Sequence, residues 1–230
     1  MTLTPKELQR LIDEPIYSWD VCGLLSGIVD FLEFSENNLQ SQRQREVRRA
    51  RREAAALDFG PGDNKSLQEA RRYIIESAEL RFDIGLSQRV RYAGLIAYIS
   101  AIEWCMKLFR FRLTKPHTKP PRGKNEAVHT LQHLDGLVGN RWAVEAATLE
   151  HTVFIRNCIV HATGLVRGWK FEKEIRRSVA ALHGFSVSNM KSVEDEIQIS
   201  AGAVDELAKR ALVWVPALDK ECSESGVFRK

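Results

Sequence analysis

The run from Tyr92 to Phe109 is the most apolar window of the chain, yet it carries Glu103 and Lys107 inside it. A lipid-spanning helix needs about 20 predominantly apolar residues, and a charge near its middle is costly. The window therefore reads as a buried core helix, about Ser87 to Leu113, and not as a membrane span. A helix of that kind needs other helices to cover it, and the remaining sequence supplies them.

The chain reads as all-α almost throughout. Thr4-Pro5-Lys6-Glu7 starts a helix, with Thr as N-cap, Pro at the first helical position and Glu at the third; it is not a signal peptide, which would need a basic stretch and then an apolar run. Trp19 to Phe34 is apolar at helical spacing. Beyond Glu36 the pattern narrows to Leu39, Val47, Ala50 and Leu57. Leu25, Leu32 and Leu39 step by seven until Glu46 breaks the repeat, and Phe59-Gly60-Pro61-Gly62 breaks the chain. Ser66 and Glu69 form a capping box for a helix that Gly85 is expected to stop. Asn125 to Leu137 forms a helix closed by Gly139-Asn140, Trp142 to Val166 one closed by Gly168, and Phe171 to Leu182 another. Phe185–Ser188 and Glu196–Ser200 alternate apolar and polar residues, a pattern that suits a small β-hairpin near 185–200. Ser200 caps a last helix toward Cys222, bent at Pro216. The expected domains are an N-terminal helical extension over 1–60, a helical domain over 64–222 and a disordered tail over 223–230.

Apolar residues at 44% and charged residues at 28% describe a globular chain. The four cysteines are far apart with no C-x-x-C pair, which argues against a zinc site or disulfide framework and suits a reducing, cytoplasmic setting. No cofactor motif is present: Gly60-Pro61-Gly62 lacks the Lys-Ser/Thr of a phosphate loop. The acid pair Asp195-Glu196 lies in a loop or strand edge and reads as solvent-facing. Net charge is only +4, but cations cluster. Arg43, Arg45, Arg48, Arg49, Arg51 and Arg52 crowd one segment, which suits phosphate binding and a solvated helix face equally. Lys107, Arg110, Arg112, Lys115, Lys119, Arg122 and Lys124 form an acid-free run, as a phosphate-backbone contact uses. Lys115, Lys119, Arg122 and Lys124 are the candidate RNA-binding residues.

Chemistry concentrates in Phe154-Ile155-Arg156-Asn157-Cys158-Ile159-Val160-His161-Ala162-Thr163-Gly164. A guanidinium can hold phosphate oxygens and an imidazole can move protons near neutral pH. Bare Arg-to-His spacing also catches Arg110 and Arg112 with His117, Arg122 with His129, and Arg176 and Arg177 with His183. Only Arg156 is followed by Asn, an apolar run, His, a small residue and Gly. On a helix Asn157 and His161 share a face with Glu150, while Ile155, Ile159, Ala162 and Val166 mark a buried one. Arg156 lies about 100° round from Asn157, so its stem must curl to join His161. Cys158 is expected to face the core.

This segment resembles the Arg-Asn-x-x-x-His signature of the HEPN superfamily, whose members are helical domains that include RNA-cutting toxins and defence effectors. The similarity covers roughly Asn64 to Cys222. It implies a HEPN-like helical bundle and a metal-independent endoribonuclease of a phage-defence or toxin–antitoxin system. It implies a homodimer with the Arg156/His161 sets at a shared cleft. His161 is then the general acid/base, Arg156 the stabiliser of phosphorane charge and Asn157 an orienting group, with Glu150 in support and an antitoxin or defence protein as partner. Thr163 stands where some HEPN toxins carry a tyrosine that a partner enzyme modifies. The alternative expectation is a non-catalytic HEPN-like module that binds RNA or a partner protein.

Overall fold

The computed structural model describes residues 18–58, 64–115, 124–191 and 193–229. The expected helix start at Thr4, the break at Phe59–Gly62, and the Pro116–Pro121 stretch with Lys119 and Arg122 lie outside them. Among the described residues the chain is helical, with one two-stranded sheet. It divides into two compact units, Asp30–Gly94 and a discontinuous unit of residues up to Val29 and from Leu95 onward. The expected boundary near residue 60 is therefore not where the units part. The divisions fall inside two long helices, which no break in composition marks.

Unit Asp30–Gly94 is an antiparallel helical hairpin. Its first arm is α1 (Ser18–Ala56) from Asp30 onward, and its second is α2 (Asn64–Leu80), a π-helical turn (Arg81–Leu86) and the start of α3 (Ser87–Arg112). Pairings that descend one arm while climbing the other set the register. Arg91 clasps Glu36 at 2.6 and 2.9 Å, Arg43 clasps Asp83 at 2.6 and 2.7 Å, and Arg71 donates to the Leu57 carbonyl at 2.8 Å. Leu32, Val47, Ala50 and Ala54 form the buried stripe of the first arm, and the Leu32 side chain occupies the space a Cβ at Gly94 would need. Part of the first arginine cluster is thus used within the hairpin. Besides Arg43, Arg49 pairs with Glu53 and Arg51 with Glu79.

Gly85 does not end a helix. The π turn absorbs it, and the helix runs without interruption from Asn64 to Arg112. An i→i+5 turn keeps the backbone hydrogen-bonded, so glycine has no carbonyls to release there. The Ser87 hydroxyl adds a bond to the Phe82 carbonyl at 2.8 Å. Ser66 also lies inside α2 rather than capping it. This continuous helix is long and apolar enough to cross a membrane by length and composition, but 56% of its most apolar window is buried within the protein. It packs as a core helix.

In the other unit, Leu95, Ile99, Ile102, Cys105 and Met106 of α3 are wholly buried, at the spacing of one helical face. Around them stand α4 (Glu126–Val138), α5 (Ala143–Ala162), α6 (Glu172–Ala181) and α7 (Ala203–Glu224). α4 starts on the Asn125 side chain, which accepts from the Ala127 and Val128 amides, and ends at left-handed Gly139. The expected hairpin is present: β1 (Phe185–Val187) pairs antiparallel with β2 (Ile197–Ile199), Phe185 opposite Ile199. α7 continues through Pro216 and begins at left-handed Gly202 with no side-chain cap, so Ser200 meets the helix start through its carbonyl, which accepts from the Ala203 amide.

The tail expected to be disordered is built into this unit. Phe228 is 3% exposed, its ring lies 5.3 Å from that of Phe109, and Leu113 and Phe228 form an isolated β-bridge. Arg112 completes the attachment, with its guanidinium 4.4 Å from the Phe228 ring and bonded to Asp219 at 2.6 Å. The buried ring with its cation, together with the Thr114 amide on the Val227 carbonyl at 3.0 Å and the Arg229 amide on the Arg112 carbonyl at 2.7 Å, orders this segment.

Candidate functional site

The motif lies on α5, whose inner face is set by Leu149, Thr152, Val153, Ile155, Cys158 and Ile159, all buried. Cys158 faces the core as expected. Burial pushes its thiol up to about 11, and its Sγ donates to the Leu165 carbonyl at 3.4 Å, so it has no thiolate character near neutral pH. α5 ends earlier than Gly168. Thr163 adopts φ 53°, with its own amide and that of Gly164 turned back to the Cys158 carbonyl. A β-branched residue in the left-handed region is strained, and strain of this kind gathers at functional sites. It stands two residues after His161.

His161 is exposed and Asn157 half-buried. Together they line an open pocket of about 470 Å³ with Phe154, Trp169, Lys170, Phe171 and Glu174. The His161 ring lies nearly parallel to that of Trp169, at 8° with centroids 6.2 Å apart. The Lys170 ammonium sits 4.9 Å from the Phe171 ring and 6.0 Å from that of Trp169, which fixes a cation by the pocket. The pocket therefore holds an imidazole, an amide, an ammonium and a carboxylate. That set can bind an anion and move a proton.

Arg156 is not part of that pocket. Its Nη2 donates to Glu103 on α3, whose same oxygen accepts from the Asn125 amide at 2.9 Å. The two charged side chains are 21% and 31% exposed. The offset of Arg156 from Asn157 round the helix, expected to be overcome by a curling stem, is resolved the other way, because a carboxylate stands on the facing helix. Glu150 is half-buried and is not in the pocket lining either. Trp169, Lys170, Phe171 and Glu174 are not among the candidate residues of the sequence, and Phe154 stands there only as the start of the motif run. The signal for them was an aromatic-basic-aromatic triplet one loop beyond the histidine.

The loop carrying that triplet is held by Asp195. Its carboxylate accepts from Arg167 at 2.6 Å and from Arg176 at 2.8 Å, and its carbonyl takes the Val166 amide at 2.9 Å. Glu172 accepts from Arg176 and from the Gly168 amide at 3.1 Å. The expectation of a solvent-facing acid is corrected here: the Asp195 side chain is 14% exposed, because two arginines converge on it. Arg176 foremost holds the Asp195 carboxyl below the usual range, and the Gly168 amide foremost does so for Glu172. A carboxylate depressed in the fold stabilises it above its unfolded pKa, and the effect is lost as pH falls through the folded value. Thermal melts are therefore expected to show stability falling from about pH 4 downward, with Asp195→Asn lower at neutral pH and less sensitive to acid. An identical acid profile in Asp195→Asn would assign the decline to other groups.

Of the candidate RNA-binding residues, Lys115 and Lys124 are described and exposed. The run that is acid-free in sequence is not so in space, because Arg110 pairs with Glu126 and Arg112 with Asp219. Among the described residues no group of three or more His, Cys, Asp or Glu side chains is placed to hold a metal ion. Comparison with family models, with curated proteins and with solved structures finds no match for this chain.

Proposed function

We propose that this chain is a HEPN-like endoribonuclease that cuts RNA without a metal ion, as a homodimer in the cytoplasm, in a phage-defence or toxin–antitoxin setting. The observation carrying the reading is His161: exposed, without a hydrogen-bond partner among the described residues, stacked on Trp169 and sharing a pocket with Asn157 and Lys170. In the proposed reaction one imidazole takes the proton of the ribose 2′-hydroxyl, and the 2′-oxygen attacks phosphorus. The bond from phosphorus to the 5′-oxygen breaks, and a second acid protonates the leaving oxygen. A two-fold copy of the pocket supplies that acid as the other His161. Asn157 orients the substrate and Lys170 attracts its phosphate. Arg156, released from Glu103 when RNA binds, meets the charge that grows on the phosphorane. An antitoxin or defence protein is the proposed partner that restrains the activity.

A second reading has its own observation. The ion pair of Arg156 with Glu103 is what a non-catalytic RNA-binding or protein-interaction module would keep for its structure alone. The test is incubation of the purified protein with end-labelled RNA in EDTA. Cleavage giving 2′,3′-cyclic phosphate and 5′-hydroxyl ends is expected. Loss of cleavage on chelation would remove the proposed chemistry, and intact RNA at every protein concentration would favour the second reading.

A further inference from the structure

Two adjoining pockets lie at the Glu103 end of the Arg156–Glu103 pair, and neither is lined by His161 or Asn157. The first, of about 390 Å³, is lined by Glu103, Trp104, Lys107, Asn125, Glu126, Ala127 and Thr130. The second, of about 550 Å³, shares Lys107 and Glu126 with it and adds Arg110, Phe111, Leu113, Lys115 and Arg229. Their electrostatics are one-sided. Glu126 is neutralised by Arg110, and Glu103 is paired with Arg156 in the free protein and holds the Asn125 amide at 2.9 Å, while Lys107, Lys115 and Arg229 make no ion pair among the described residues. The Arg229 Nε donates to the Leu113 carbonyl at 3.0 Å, which fixes that guanidinium at the rim.

The same face presents aromatic surface. Trp104 is 38% exposed and Phe111 61% exposed, on a helix whose inner side is a packed core. They are seven residues apart, so they stand on one face two turns apart, with Lys107 between them. Thr130 adds a buried hydroxyl without a hydrogen-bond partner in the wall of the first pocket. A purely apolar partner surface would leave those cations and that hydroxyl unmatched. Flat apolar rings alternating with unpaired cations match a nucleic-acid strand whose bases are unstacked.

We propose that these two pockets form one binding path for single-stranded RNA. A base stacks on Trp104 over the Glu103/Asn125/Thr130 pocket, the next stacking face is Phe111, and the phosphates lie on Lys107, Lys115 and Arg229. The proposal rests on the RNA reading above and deepens it, by placing the strand on α3 in pockets that share no lining residue with that of His161. A duplex does not fit it, because paired bases do not offer their faces.

Fluorescence anisotropy with a labelled single-stranded RNA tests this, using His161→Ala protein so that binding is read without cutting. Trp104→Ala and Phe111→Ala are each expected to weaken binding about 5- to 150-fold, the scale of one lost base stack. Trp104→Phe should recover most of that loss, since a ring is kept. Lys107→Ser with Lys115→Ser should lower the log–log salt slope by about 1.4, while the two aromatic variants leave it unchanged. Binding of a duplex should be insensitive to Trp104→Ala. Unchanged single-strand affinity in both aromatic variants would overturn the proposal, whether or not the wild-type protein cuts RNA. A change in sedimentation without a change in RNA affinity would overturn it too, and would make this face a protein contact. Trp104-dependent binding by a wild-type protein that never cuts would uphold it while removing the ribonuclease reading.

Discussion

His161→Ala is expected to lower RNA cleavage by about 10²–10⁴, the scale for losing a general acid or base. The fold should be intact, because the side chain is exposed and gives up only its stacking on Trp169. Initial rates on labelled RNA, read beside thermal melts, check both halves of the statement. A variant that melts like the wild type and cuts equally fast would take the proton chemistry away from this residue. Asn157 is the fitting comparison. It lies one helical turn before His161 in the same pocket, so an orienting role predicts a smaller loss of rate with the same products.

The second large effect concerns Arg156 and Glu103, where stability and catalysis are expected to part company. Removing one member of a fully buried ion pair costs about 3–5 kcal/mol. With side chains 21% and 31% exposed, solvent takes up part of that, and Arg156→Ala should cost about 2 kcal/mol in urea unfolding. Glu103→Gln should also destabilise, though less, because the Asn125 contact survives as a neutral hydrogen bond. The two variants should nevertheless move cleavage in opposite directions. Arg156→Ala removes the cation proposed to meet the transition state, so the rate falls. Glu103→Gln releases that cation from its carboxylate, so the rate rises. A rate unchanged in both, with stability lowered in both, would make the pair purely structural and would strengthen the non-cutting reading.

How much of this was legible in the sequence depends on how local the controlling physics is. α4 was, because its Asn125 cap and its Gly139 terminus act within one turn of the helix they delimit. The β1–β2 hairpin was legible too, since alternation is a local pattern. Gly85 and Gly168 misled, because the π turn and the early left-handed Thr163 are decided by packing and backbone bonding that glycine does not announce. Asn157 and His161 could be set on one face from their spacing alone. The destination of Arg156 could not, because Glu103 lies 53 residues away and only the docking of α5 beside α3 brings them together. The same limit hid the pairing of Arg110 with Glu126 and of Asp195 with two arginines. A charge's partner is a tertiary fact.

The division of the chain also dictates an order of events during synthesis. Asp30–Gly94 is one continuous stretch, so its helical hairpin can close as soon as it has left the ribosome. The unit bearing His161 cannot, since its earliest helix residues must wait for Leu95 and everything after it, down to Phe228 against Phe109. The imidazole at residue 161 therefore emerges well before the segment that closes its own core. A nascent chain displays the motif without the pocket wall that Asp195 braces. For a protein proposed to cut RNA, that delay separates the act of being made from the capacity to act.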